Sequence, residues 1–222
     1  MSARKKILDA ALQEMSAKGA DATSLRMIAD AVGIKTPSIM YHFPTKDALR
    51  KAVLEEQLSR WNDVLPTLIM ATSRDGNGRF EALTAELSKF FLEEPARARL
   101  IMRELMDRPE EMQLYLNRYI APWIQLIAEQ VQLARSKGNV SGDVDATAFV
   151  WVMVTSVMAN AALAESIRLE PIAESGPTTQ THTPRLTQEL IRMARSSLFS
   201  SPLEPHHSQK GESSYHGKLF KR

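Results

Sequence analysis

The side chains with the chemistry to read a polyanion are concentrated between Leu25 and Lys46: Arg26, Lys35, Thr36, Ser38, Tyr41, His42 and Lys46, with Pro37 among them. Guanidinium and ammonium groups bind phosphate oxygens or guanine edges, hydroxyls bond base edges or phosphates, and a proline ring can press on a thymine methyl. A helix stopping at Gly33, followed by a short helix Pro37–Tyr41, has helix-turn-helix spacing. So short a second helix is a poor core element but a good probe, because its end can enter a major groove while longer helices hold it. Lys35, Thr36, Pro37, Ser38 and Tyr41 are then expected to face outward, and Ile39 and Phe43 inward. Lys46 follows Thr45, a helix cap, so its ammonium and the helix N-terminus could share one phosphate. On spacing alone the segment fits a plain helical hairpin with polar surface residues equally well.

Other chemistry is sparse. The absence of cysteine excludes disulfides, thiolate metal sites and a cysteine nucleophile. No nucleophile–base pair and no phosphate-binding glycine loop stands out, so neither an enzyme nor a cofactor is expected. His182, His206, His207 and His216 lie in an expected loop and tail without metal-site spacing, and no metal site is expected. Glu93-Glu94 and Glu110-Glu111 read as solvated helix ends.

The elements that would position these groups are all helical, with neither strand alternation nor an internal repeat. Ile7, Leu8, Ala11, Leu12 and Met15 recur at helical spacing in a first helix ended by Lys18-Gly19. A second helix follows the Ser24 cap, with Leu25, Ile28, Ala29 and Val32 inward, and stops at Gly33. Thr36 is expected to cap the short third helix, with Pro37 in its first turn, and Pro44 biases Phe43 out of the helical region. Thr45 caps a connecting helix 45–60, with Asp47 in its first turn. Pro66 and residues 73–78 mark breaks. Further helices are expected at Phe80–Leu92, Ala96–Asp107 and Glu110–Lys137 (kinked at Pro122), then at Val144–Leu169 and Arg185–Phe199. Gly138–Gly142 reads as a turn and Glu170–Pro184 as a loop.

The 222 residues are enough for a sizeable core, and a hydrophobic content of 44% excludes a disordered or collagen-like chain. Net charge is +2, distributed as +3 over residues 1–60 (10 basic, 7 acidic), −3 over 61–200 (14 and 17) and +2 over 201–222 (4 and 2). Basic excess at the two ends is a weak pointer to a polyanion partner. Asp9, Gln13 and Glu14 interrupt any apolar run after the basic N-terminus, so no signal peptide is expected. Ala146–Ala164 is uncharged for 19 residues, yet Thr147, Thr155, Ser156 and Asn160 favour a buried or interface helix over a membrane span.

Over Ile7–Val53 the chain resembles the DNA-binding domain of the TetR/AcrR family of bacterial transcriptional regulators. The matching residues are Ile7-Leu-Asp-Ala-Ala11, Gly19, Ser24-Leu-Arg-Met-Ile-Ala29, Val32-Gly-Ile34, His42-Phe-Pro-Thr-Lys46 and Leu49. The resemblance implies an all-α protein: a three-helix helix-turn-helix domain, then a larger helical ligand-binding and dimerisation domain. It implies that Ser24 caps the second helix and touches phosphate. It also implies that Arg26 stands where some members read a guanine, that Thr36, Pro37 and Ser38 face bases, and that His42 and Lys46 contact the backbone. Two positions depart. Ile39-Met40 replaces the common Leu-Tyr, so the usual phosphate-contacting tyrosine is Met40, and Tyr41 either substitutes or the contact is lost. Lys35 replaces the common small capping residue, which reads as a cap shifted to Thr36.

The expected layout is a DNA-binding domain over residues 1–60, a helical ligand-binding and dimerisation domain over 61–200, and a disordered tail over 201–222. Phe90, Met102, Met106, Tyr119, Trp123 and Trp151 are candidates for an apolar ligand pocket, since methionine and aromatic side chains make adaptable walls. The helices Val144–Leu169 and Arg185–Phe199, with Ala159, Ala161, Ala162 and Ala164, are candidates for a homodimer interface, and paired helix-turn-helix units match palindromic double-stranded DNA. The expected function is that of a cytoplasmic repressor whose DNA affinity falls when a small apolar or amphipathic ligand binds. The other reading left open is a helical small-molecule-binding protein or enzyme whose N-terminal domain no longer binds DNA.

Overall fold

The computed structural model describes residues 2–72, 77–138, 140, 143–164, 166 and 182–199. They are α-helical, with no strand among the described residues. The helices are α1 (Ala3–Lys18), α2 (Leu25–Val32), α3 (Thr36–His42), α4 (Lys46–Ser59), α5 (Trp61–Thr72), α6 (Asn77–Leu92), α7 (Pro95–Asp107), α8 (Pro109–Tyr115), α9 (Ala121–Ser136), α10 (Ala146–Ala162) and α11 (His182–Phe199), with a π-helical turn Leu116–Ile120 joining α8 to α9.

The first four helices are set by their ends. The Ser2, Ser24 and Thr45 side chains accept from the backbone N–H groups of Lys5, Met27 and Ala48, each supplying a partner to a donor that a helix N-terminus leaves unpaired. Gly33 ends α2 at φ +74°, ψ +33°, a left-handed conformation that costs glycine little. The turn is closed by Ile34 N–H donating to Ala29 O at 3.0 Å. α3 begins one residue earlier than its sequence suggests. Lys35 is the N-cap and makes no side-chain capping bond, and Thr36 is the first helical residue rather than the cap. Pro37 at the second position removes an N–H that has no intrahelical partner anyway, so the helix needs no shifted cap to start there. Ile7, Leu8, Ala11, Leu12, Met15, Ile28, Ile39, Phe43, Leu49 and Val53 form one buried core with Ala96 and Leu100 of α7.

The remaining helices pack around a second core that includes Leu54 and Leu58 of α4, Trp61, Phe90, Phe91, Ile101, Trp123 and Val154. Four boundaries differ from the sequence reading. Pro66 does not break the chain but lies inside α5. It is exposed, as is Asn62 one turn before it, so water can satisfy the carbonyl left without a donor. Glu110–Lys137 is two helices rather than one kinked helix. The Ala121 N–H donates to Leu116 O, five residues back, and this wider turn absorbs Pro122, which has no N–H to give. α10 starts at Ala146 after the Asp145 cap and ends at Ala162, seven residues short of Leu169. α11 starts at His182 rather than Arg185, so His182 heads a helix instead of lying in a loop. His206, His207, His216 and the whole 201–222 tail lie outside the described residues, as do most of 170–184. Among the described residues no helix is long and apolar enough to cross a membrane.

α4 and α7 each contribute to both cores. They are tied by charge as well. The Arg50 guanidinium donates to Glu104 on α7, to Asp47 on its own helix and to both carboxylate oxygens of Glu111 on α8. Arg108, at the end of α7, pairs with Asp21 in the α1–α2 turn. Arg103 donates to the Ser16 and Ala17 carbonyls at 2.9 and 3.0 Å, capping the C-terminus of α1 from outside. The orientation of α1–α4 on the rest of the molecule is thus fixed by directional bonds added to apolar contact.

Candidate nucleic-acid interface and ligand cavity

α3 divides its residues by face. Ile39 is fully buried and Phe43, just past the helix, is 4% exposed. Pro37, Ser38 and Tyr41 are exposed, Tyr41 to 86%, and one turn apart they form an outward surface. Thr36 and His42 are half-buried, and Lys35 is exposed. The His42 ring lies edge-on to Tyr41 at 5.2 Å. Met40 is 50% exposed, so Tyr41 is the more available of the two.

The flanking candidates are placed as follows. The Ser24 hydroxyl is exposed while its oxygen accepts from Met27 N–H at 3.2 Å. The Arg26 side chain is 86% exposed and reaches Asp30 only at 3.9 Å, a loose pair that leaves most donors to solvent. Lys46 donates to Asp21 O at 3.0 Å, which places its ammonium against the turn before α2. One basic residue the sequence reading did not select joins them. The Arg4 guanidinium lies 5.1 Å from the Phe43 ring centroid, beside the end of α3. Its signal, the Arg4-Lys5-Lys6 run, lies 39 positions upstream of Phe43. Lys5 is instead spent on Asp9 and Glu56, at 2.6 and 2.8 Å.

The second core holds a cavity of about 140 Å³ between α4, α5, α6, α7, the π-turn and α10. Of the six pocket candidates, Phe90 and Trp151 line it. Trp123 is buried in the same core away from the cavity wall, and Met102 is half-buried against that core. Tyr119 stacks on Tyr115 at 6.5 Å and donates its hydroxyl to Glu55 on α4 at 2.9 Å. Burial, then the Glu55 hydrogen bond, raises its pKa. Met106 is 70% exposed and faces away. Trp61, Phe91, Ile101 and Met158 line the cavity and were not selected. They read as ordinary helix-face apolar residues, and only the packing of several helices brings them together. Behind the wall Arg97 is buried, its guanidinium 4.0 Å from the Phe90 centroid and bonded to Phe90 O and Gln57 Oε1. Burial, then the charge of Arg60, lowers its pKa.

A short, outward-facing helix carried on a three-helix core, followed by a helical domain with its own core, defines a helix-turn-helix protein with a second helical domain. A family model described as "Bacterial regulatory proteins, tetR family" matches residues 7–53. The match covers the N-terminal domain alone, and over it the chain is similar to the tetR family of bacterial regulatory proteins. Among curated relatives, the biofilm operon icaADBC HTH-type negative transcriptional regulator IcaR of Staphylococcus aureus (strain Newman) is 33% identical over 108 residues, 49% of this chain and 56% of that protein. The HTH-type transcriptional regulator RutR of Escherichia coli (strain K12) is 44% identical over 62 residues, 28% of this chain and 29% of that one. The chain thus spans about half, or less, of these relatives. The fold extends further than the sequence likeness. The ketosteroid transcriptional regulator KstR2 of Mycobacterium tuberculosis superposes with a TM-score of 0.65 over 90% of this chain and 96% of that one, at 16% identity.

Proposed function

We propose that this chain is a sequence-reading DNA-binding regulator, acting in the cytoplasm as a dimeric repressor whose DNA affinity is lowered by a small apolar or amphipathic ligand. The observation that carries the reading is α3 itself: Ile39 and Phe43 anchor it, and Pro37, Ser38 and Tyr41 stand clear of the protein. Arg26, Lys35, Thr36, His42 and Lys46 surround that surface with groups suited to phosphate and base edges, and Ser24 shapes the N-terminus of α2. The similarity to IcaR and RutR, both HTH-type transcriptional regulators, supports it.

Two features support ligand control and dimerisation. The cavity lies against α4, whose other face belongs to the N-terminal core. A ligand that displaced α4 would change the spacing of two α3 helices from one turn of DNA, about 34–36 Å. Val152 on α10, Leu163 just past its end and Met193 on α11 are exposed apolar residues of adjacent helices, the kind of surface that a second copy would cover.

Selection of random duplex DNA on the purified chain, with Arg26→Ala beside it, tests the reading. The expected result is a palindromic consensus that relaxes in the variant, with retention falling steeply as salt rises. Retention without consensus removes sequence reading. No retention at low salt favours a helical small-molecule-binding protein or enzyme that does not bind DNA.

A further inference from the structure

We propose that the cavity takes a small neutral hydrocarbon, a single aromatic ring with no hydrogen-bonding group; this rests on the ligand-controlled reading above and names its ligand class. The cavity measures about 140 Å³, and Leu58, Trp61, Phe90, Ile101, Trp151 and Val154 supply much of its wall. No polar atom of the described residues opens onto it, and no charged side chain lines it. The polar atoms carried by the wall are turned elsewhere. Thr155 Oγ1 bonds the Trp151 and Val152 carbonyls at 2.9 and 3.1 Å, and Gln57 Oε1 accepts from Arg97. Trp61 presents ring carbon alone, since its Nε1 is buried out of contact with both cavity and solvent. The buried cation nearby, Arg97, is spent behind the wall on Gln57, on Phe90 O and on the Phe90 ring.

Polarity, size and shape of the ligand follow from that wall. A hydroxyl or carboxylate entering here gives up its bonds to water and finds none in return, at a cost that rises steeply with charge. A hydrocarbon gives up nothing of the kind and supplies the dispersion contacts that wall atoms facing a gap lack. An amphipathic molecule has no place in this wall for its head group. A comparable apolar cavity stays dry and holds one benzene ring, so the ligand has roughly six to nine non-hydrogen atoms. Phe90 already meets Trp61 edge-on at 5.3 Å, and a ring ligand extends that arrangement toward Trp151. The ligand would bear on Leu58 of α4 and Ile101 of α7, the two helices that contribute to both cores.

Toluene, phenol, benzoate and biphenyl separate these demands, and their binding to the full chain is measured by calorimetry and thermal shift. Toluene is expected to bind, and phenol to bind roughly tenfold weaker or worse, the cost of one buried hydroxyl left unpaired. Benzoate and biphenyl should not bind detectably, the first for its charge and the second for its size. Val154→Leu and Val154→Phe fill the cavity from α10 in two steps of side-chain size, and should weaken toluene binding and abolish it in turn, with helicity retained by circular dichroism. Should the phenylalanine chain not fold, the leucine chain and the toluene–phenol comparison on the natural chain still decide. The proposal is overturned by phenol, benzoate or biphenyl binding as tightly as toluene, by toluene affinity unchanged in both position-154 variants, or by no toluene binding at all. A DNA-retention assay with each probe, and with decanoate as an amphipathic one, separates the two readings. Toluene binding that leaves DNA affinity unchanged upholds the ligand class and removes ligand-controlled repression. DNA affinity that falls with decanoate although toluene does not bind upholds ligand control and overturns the hydrocarbon.

Discussion

Arg50 on α4 and Glu104 on α7 form an ion pair in which both side chains are removed from water, at 5% and 2% exposure. The pair joins the helix that carries α3 to a helix of the second core. Arg50 is additionally held by Asp47 and Glu111, and Glu104 by Arg108 at 3.5 Å. Removing one partner of a buried pair strands the other, at a cost of about 3–5 kcal/mol. Arg50→Met is therefore expected to destabilise the chain by about that amount. Glu104→Gln should cost less, because Arg50 keeps two carboxylates and the amide still offers an acceptor. Urea unfolding of both variants decides it, and equal small losses would mean the pair contributes little.

Asp47 should make stability depend on acid pH. Hydrogen bonds from Lys51 first, and then from Arg50, hold its carboxyl below the ordinary carboxylate range. Because the folded pKa is the lower one, the contribution is complete above the unfolded value, about pH 4, and disappears as pH falls through the folded value. Asp47→Asn should flatten this part of the acid-unfolding curve and leave the curve near neutrality parallel to that of the natural chain. An unchanged acid limb in the variant would refute the assignment.

The turn between α2 and α3 depends on Gly33. A methyl group there meets no atom within 4 Å, so the cost of Gly33→Ala is conformational rather than steric crowding. At φ +74° that cost is about 1–2 kcal/mol, and Gly33→Asn should recover part of it. Ser24→Ala should cost about 1 kcal/mol through loss of the cap on Met27 N–H. Thermal unfolding of the three variants ranks them, and an alanine at 33 with unaltered melting would show that the turn adopts another backbone in solution.

Covering of α10 and α11 by a second copy makes a prediction that can be checked without DNA. Leu163 is 44% exposed and Val152 60% exposed, so a charge there does not enter the chain's own core. Leu163→Glu with Val152→Asp is expected to give a monomer by light scattering at micromolar concentration, with helicity retained. A natural chain that is already monomeric under those conditions would remove the dimer from the proposed mechanism.

Local signals carried the N-terminal part of the sequence reading. Ser24, Gly33 and Thr45 mark the ends of α2 and α4 by hydrogen bonding and backbone freedom that depend on a few neighbours, and the helix-period apolar positions of α1 and α4 are buried as their spacing implies. The inward turn of Ile39 and Phe43 was legible for the same reason. Pro66 and Pro122 were misread because a proline's effect depends on whether its surroundings can satisfy the carbonyl it leaves, through water at α5 and through a π-turn before α9. The sequence by itself determined an all-helical chain with a helix-turn-helix spacing at its start, because helix periods and caps are encoded within a few residues. Only the tertiary structure decided that Arg50 meets Glu104, that Arg4 lies beside Phe43, and that Trp61, Phe90 and Trp151 wall one cavity. Those meetings join residues 29 to 90 positions apart, and a contact between distant segments is fixed by how whole helices pack rather than by any local pattern.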